Sequence, residues 1–560
     1  MRDDGSAFAN YPHIRPLPKA HSAPISYEEA ISRIESFAQQ HKLRLPSQKV
    51  GLTKDDSHHR GSLYEEYGRS ARPESGNDCV IVPLLAAVGR DCATNITAPH
   101  SIPTHDTSAM DGFAVSSALT GSASNEEPVR LRISHLIAAG DRHDAPIDKK
   151  TARETFVYHG PGIHGECVEI MTGARFPEVS HSDLDAVIKI EDVIVKRYGR
   201  GCDCCFEYIE VSTPVRRNQN RRFAGSDLTA GAPILAAGVT IQPEHVMALA
   251  SLGFREVRVK TSSLHGGEGQ VAEGSRLAGI KIGVLSTGSE LTDIVNPTDQ
   301  PFCASAGSGQ RIPNSNGPYI ISKLRQMDAA LHLHYMGIAQ DSEKCLESKL
   351  RDGFDGRQLD IIIATGGVSM GSFDLVRPVL EQRMHAKIVF HGVRVRPGLP
   401  VLFALLGYEE CAPGASSRRM AVFFGLPGNP IATAMALRFF VTPYLAALGQ
   451  IDLDGFKSIA RIQLSPRIEG RRHGSSTDYC KALSVTSRAY RAKPAHLSVF
   501  WLSRRCRRHE ATLGSDQDVE ILEDQASYKL RSLLQADCWI EVPAGRGQVS
   551  EADLLVAHRL

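Results

Sequence analysis

Two hydrophobic rhythms divide this chain. Between about Gly279 and Gly449, apolar runs at Ile280 to Leu285, Leu331 to Met336, Ile361 to Ala364 and Ala421 to Leu426 alternate with helical patterns at 317–327, 342–352, 373–384 and 430–447. Apolar strands separated by helices predict a doubly wound α/β domain, a parallel sheet covered on both faces, over 279–450. From Ser108 to about Val259, β-branched runs such as Ala186 to Ile190 and Phe206 to Val211 are broken by Gly, Pro and Asp, which predicts small β modules. Short strands return after 451 (Ala460 to Leu464, Cys538 to Val542) and predict a C-terminal small β barrel or sandwich.

The N-terminal part is less regular. Residues 1–24 contain four Pro and little periodicity and are expected to be disordered. Ser26 with Glu29 forms a capping box ahead of the apolar stripe Ala30, Ile31, Ile34 and Phe37, so a helix is expected there. A second helix is expected over roughly Pro83 to Arg90. Polar stretches at 43–78, 141–166 and 198–205 read as loop insertions. The resulting division is a disordered 1–24, then 25–140 with N-terminal linker helices, the insertion 43–78 and the start of the β modules. A β-rich domain at 141–278, the α/β domain at 279–450 and a β domain at 451–560 complete it.

At 560 residues the chain exceeds what one core supports. A formal net charge of +1 gives no long-range attraction for nucleic acid or an anionic membrane, so neither is an expected partner. The arginine-rich stretch from Arg504 to Arg508 reads as a solvated loop. No segment is expected to reach the roughly 18 uncharged apolar residues of a membrane helix. Acids at Asp3 and Asp4, where a signal or transit peptide is basic, lead to a cytosolic (cytoplasmic) expectation. The 12 cysteines are expected to be reduced and are dispersed except for the cluster Cys202, Cys204 and Cys205, which reads as a surface hairpin with free thiols rather than a soft-metal site because no second Cys or His pair lies nearby at zinc-finger spacing.

Candidate chemistry gathers at the predicted strand ends. After Ile363 the chain runs Ala364-Thr365-Gly366-Gly367-Val368-Ser369-Met370-Gly371-Ser372-Phe373-Asp374, a glycine-rich turn that presents backbone N–H groups to an anion. Ser286-Thr287-Gly288-Ser289-Glu290 offers small residues and an acid able to hold Mg2+ or orient a water. Gly428 and Asn429, before Pro430, open a helix whose start suits an anion, with Asn429 as N-cap. Arg394 and Arg396, ahead of Pro397, are placed on one side of a strand where each can fork onto an oxyanion. Neither a Walker-type loop nor a Gly-x-Gly-x-x-Gly following a strand occurs in this region.

Together with Ser108 to Val115, Ile170 to Ala174, Arg221 to Asp227, Asn314 to Gly317, Arg396 to Pro400 and Gly425 to Pro430, these segments resemble the molybdopterin molybdenumtransferase family, which includes bacterial MoeA and the E domains of gephyrin and its plant counterparts. The resemblance spans about 80 to 450, in the family's order. It implies the last step of molybdenum cofactor synthesis: adenylylated molybdopterin and molybdate react with Mg2+ present and AMP leaves. By position, Asp111, Thr172, Asp227, Glu290, Asp341 and Asp374 match functional residues of the family, with Glu290, Asp374 and Asp227 as metal ligands. Gly366, Gly367, Ser369, Arg394, Arg396, Pro397, Gly428 and Asn429 are implied to bind substrate. It also implies a homodimer with its active site between the α/β domain of one subunit and the β domains of the other, and a separate adenylyltransferase that supplies the substrate.

This chain departs from the family pattern at Ser372, Ser342 and Asn314, where acids are common, and at Gly392, usually Lys or Arg. Losing anionic oxygens weakens the binding of a hard cation. The alternative is therefore a catalytically impaired paralogue that binds molybdopterin or acts as a scaffold.

Overall fold

Uninterrupted isoleucine, valine and phenylalanine runs form the centre of the protein. In the computed structural model, Ile361–Thr365 and Ala421–Leu426 are buried at every position and Lys281–Thr287 at all but the first. The structure describes residues 23–44, 72–73, 78–137, 139–140, 162–177, 183–198, 206–262, 277–296, 311–369, 374–408, 419–451, 457–463, 489–490, 498–505, 517–522, 525–544, 549–550 and 554–560. The expectations for 1–22, 45–71, 141–161, Cys202 to Cys205, Ser372 and 506–508 lie outside them.

The central sheet runs in the order His332–Ala339, Lys281–Thr287, Ile361–Thr365, Ala421–Leu426, Leu402–Leu406, Lys387–His391. The first four strands are mutually parallel, and Leu402–Leu406 is antiparallel to both its neighbours. The expected purely parallel sheet is thus a mixed one. The link from His391 to Leu402 is too short for a crossover helix, so the chain turns back beside itself. Parallel strands and Lys387–His391 consequently end at one edge. Helices Asn316–Met327 and Glu343–Arg351 occupy the expected windows, and Pro430–Gly449 runs through the core. That last helix corrects the membrane expectation: it is long and apolar enough to cross a bilayer, but 78% of its apolar window is buried inside the protein.

The predicted N-terminal helix, Tyr27–Arg44, packs on Thr442–Gly449. Ser26 Oγ accepts the Glu29 N–H (3.1 Å), and the stripe is buried at Ala30 and Ile34. No second helix follows over Pro83 to Arg90. Cys79–Pro83 is a strand paired antiparallel with Glu256–Lys260, and only one tight turn, Leu84–Ala86, comes after it. Alternating burial of Val80 and Val82 shows why pairing wins over helix there. Conversely, Pro243–Ser251, inside the stretch read as β, is a helix, because its run Met247-Ala248-Leu249-Ala250 carries no β-branched residue.

The β module is one six-stranded sheet, ordered Ala186–Lys189, Gly112–Val115, Gly165–Ile170, Val129–Ile137, Phe206–Val211, Ile194–Tyr198. Val129–Ile137 pairs with Gly165–Ile170, so the boundary expected at 140/141 falls inside a single sheet. In the C-terminal part, Ser498–Arg505, Gln517–Ile521, Lys457–Gln463, Leu554–Arg559 and Cys538–Val542 pair in a closed ring. Val395–Arg396 adds to Ser498–Arg505 in parallel, tying this ring to the α/β domain.

Candidate active site at the carboxyl edge of the sheet

The glycine loop is shaped by contacts that exclude side chains. Gly366 and Gly367 have φ of +85° and +65°, and a Cβ on Gly366 would lie 2.8 Å from the Thr287 carbonyl oxygen. Gly366 N–H donates to Leu426 O (3.0 Å) and Val376 N–H to Gly367 O (3.2 Å), closing the loop against the next strand and helix. The buried His391 ring approaches Val368 O through Nε2 at 2.7 Å. Ser369 is exposed and Asp374 is partly buried just before the helix 376–383.

Beneath this loop lies a hydrogen-bond chain that sequence reasoning did not foresee. Thr287 Oγ1 donates to Thr365 O (3.2 Å), Thr365 Oγ1 to Ser286 Oγ (3.2 Å), and Ser286 Oγ to Asn314 Oδ1 (3.0 Å). Asn314 Nδ2 donates to Tyr335 OH (2.9 Å), which donates to Asp293 Oδ1 (3.0 Å). Asn314 Oδ1 also accepts Gly317 N–H (3.3 Å) at the start of Asn316–Met327. The amide at this position both donates and accepts, which a carboxylate cannot do.

Two acids stand beside it. Asp341 Oδ2 accepts Ser289 N–H (2.8 Å), while Asp341 N–H donates to Ser289 Oγ (2.9 Å). Burial, reinforced by the Asp341 charge, pushes the neighbouring Glu290 carboxyl up to about 7, against a lowering backbone hydrogen bond. Gly140 of the β module also lies here, since a Cβ on it would be 3.0 Å from Glu290 Cα.

Other expected residues have different settings. Both oxygens of Asp227 accept backbone N–H groups, from Leu530 (2.9 Å) and Arg531 (3.1 Å), capping the helix Leu530–Gln535. The Arg222 guanidinium lies over the Tyr528 ring at 3.5 Å, and desolvation lowers its pKa to about 10. Among the described residues no three His, Cys, Asp or Glu side chains form a metal-holding group, so Glu290, Asp374 and Asp227 do not converge into one. Asp111 Oδ1 accepts Thr172 N–H (2.7 Å), joining those two residues within the β module.

At the helix Pro430–Gly449 the Asn429 side chain makes no cap hydrogen bond, contrary to expectation. Ile431 N–H instead donates to Ser527 O (2.9 Å) and Gly428 O accepts Asn316 Nδ2 (2.7 Å), so the segment leading to the Asp227-capped helix covers this end. Arg394 and Arg396 do share a side of the chain, with Val393 and Val395 buried opposite. Yet Arg394 Nη1 donates to Pro24 O (2.9 Å), and Ile25 pairs with Val393. Pro24 packs over Gly392, 3.4 Å from where its Cβ would be. Arg396, before Pro397, is held partly out of water, which lowers its pKa to about 10.

The chain is similar to known proteins. Two family descriptions match, "MoeA N-terminal region (domain I and II)" over residues 25–253 and "Probable molybdopterin binding domain" over 283–447. A protein named molybdopterin molybdenumtransferase from Synechococcus elongatus is 29% identical over 465 residues, covering 83% of this chain and 90% of its own. Its Bacillus subtilis namesake is 27% identical over 365 residues, 65% of this chain and 69% of its own. A solved MoeA protein from Pyrococcus horikosii aligns at 20% identity over 96% of this chain and 99% of that one, with a TM-score of 0.35. From the two family matches and these named relatives, the chain belongs to the MoeA family.

Proposed function

We propose that this protein acts in molybdenum cofactor synthesis as a molybdopterin molybdenumtransferase, inserting molybdate into adenylylated molybdopterin with release of AMP. The observation that carries this reading is that Glu290, Asp341 and the Gly366–Ser369 loop follow three neighbouring strands at one sheet edge, with Glu290 coupled to Asp341 and Gly366 against Thr287. The loop supplies N–H groups for a phosphate, and Arg396, partly desolvated, supplies a strong charge for an oxyanion.

Mg2+ fits the acid pair better than the expected triad. A carboxyl raised to about 7 beside a second acid lacks a compensating cation, whereas Asp227 already has two N–H partners. Glu290 and Asp341 would hold the ion, with substrate phosphate and water completing its oxygen shell. Bound there, Mg2+ supplies charge neutralisation at the leaving phosphate. Asp374, partly buried just before the helix 376–383, is read as orienting the attacking oxygen. Asp111 and Thr172, paired in the β module, are read as completing a partner's site in a homodimer. The C-terminal strand ring is read as the small β barrel, the protein as cytosolic, and a separate adenylyltransferase as its supplier.

The test is AMP release from adenylylated molybdopterin by the purified protein, dependent on molybdate and Mg2+. Absence of release with tight pterin binding would favour the alternative, an impaired paralogue. The observation on that side is Arg394, engaged by Pro24 next to the glycine at 392, which leaves the site poorer in cations.

A further inference from the structure

The buried His391 ring contacts two different elements through its two nitrogens. Nε2 lies 2.7 Å from Val368 O, and a carbonyl only accepts, so Nε2 carries the hydrogen. Nδ1 lies 3.3 Å from Arg377 Nη1, and a guanidinium only donates, so Nδ1 is the acceptor. The ring joins the glycine loop, through Nε2 and Val368, to the helix that follows it, through Nδ1 and Arg377. Arg377 is steadied by Glu381, whose Oε1 accepts its Nη2–H at 3.1 Å.

We propose that His391 is a positioning residue that aims the Ser369 N–H at the anionic ligand. Val368 C=O and Ser369 N–H belong to one trans peptide, whose carbonyl and N–H point in opposite directions. Drawing the carbonyl inward to the buried imidazole turns the Ser369 N–H outward, on the exposed side of the loop. Gly367 is arranged alike: its carbonyl is taken by Val376 N–H, which directs the Val368 N–H away from the helix. Gly367 has no side chain to restrict its own peptide, so the Val376 tether selects that orientation, as the His391 tether does for the Val368–Ser369 peptide that follows. His391 ends its strand at the same sheet edge, and a lone histidine there carries no sequence signature. The inference rests on the anion-binding part of the function proposed above.

The test compares His391→Leu, which removes the donor, with His391→Gln, whose side-chain N–H reaches a similar position. Amide exchange is read for peptides within 361–369, and AMP affinity by calorimetry. His391→Leu is expected to speed exchange at the loop while the strand Lys281–Thr287 stays protected, and to weaken AMP binding about tenfold, the scale of one hydrogen bond to a charged group. His391→Gln should restore most of both. Unchanged loop exchange in His391→Leu, faster exchange with undiminished AMP affinity, or a Gln variant as impaired as Leu would overturn the proposal. Wild-type protein that binds no AMP would count against the proposed function alone, because the exchange comparison needs no ligand.

Discussion

Glu290 holds its proton into the neutral range because its carboxyl is desolvated and faces Asp341. Its folded-state value of about 7 lies above the 4.5 of a free glutamate, so between those pH values the folded protein binds more protons than the unfolded chain. This group's effect on stability therefore declines as pH rises through that window and levels off above it. Glu290→Gln should flatten the decline and gain on the order of 2 kcal/mol at pH 8, read by urea unfolding at pH 5, 6.5 and 8. Mg2+ should stabilise the wild type at pH 8 and leave the variant unmoved. An equally steep decline in the variant would assign it to another group.

Asn314 belongs to the same scale. Its amide donates to Tyr335, freeing the phenol hydrogen for Asp293. Asn314→Asp would put two carboxylates in competition for that one hydrogen and should cost about 1–3 kcal/mol above pH 6, with recovery in acid. Equal stability of both proteins at pH 8 would contradict the chain of bonds. Glu290 was legible because an acid after small residues at a strand end has a recognisable pattern. The occupation of Arg394 was not, since its partner Pro24 lies 370 positions away and lends only a carbonyl.

Among elements, the helix Leu530–Gln535 is held at its start by an acid from a remote segment, Asp227. Asp227→Ala should cost about 1–2 kcal/mol, while Asp227→Asn, whose amide oxygen still accepts, should cost less than half of that. Chemical unfolding of the two variants without any divalent cation separates this task from metal binding, for which Asn and Ala would be similarly poor. The central strands and their helices were readable because burial on both faces leaves unbroken apolar runs. Lys387–His391 and Leu402–Leu406 were not, their direction being set by the short link between them rather than by composition. Cys79–Pro83 takes its identity from the far later strand Glu256–Lys260, which a local capping and propensity argument cannot supply.

At the scale of the whole molecule, three distant parts meet at one aromatic cluster. Tyr27, at the start of the N-terminal helix, packs edge-on against Phe440 of the core helix (5.8 Å between centroids) and Phe500 of the C-terminal strand ring (5.2 Å). Phe439 stacks near Phe500 at 4.1 Å and meets Trp539 at 6.2 Å. Below it, Phe37 packs near Phe403 and His41 hydrogen-bonds Tyr444, so the helix Tyr27–Arg44 clamps the α/β domain while its first turn reaches the ring. A clamp of this kind makes domains unfold together, because either one unfolding strips the other's apolar contacts. Tyr27→Ala removes the ring that touches both, at a cost of about 3 kcal/mol, typical of a large aromatic truncation. Calorimetry should then resolve a C-terminal transition at lower temperature from a nearly unchanged α/β transition, and should show the two merged in the wild type. A single transition shifted as a whole would mean that Val395–Arg396, paired with Ser498–Arg505, couples the domains without help from Tyr27.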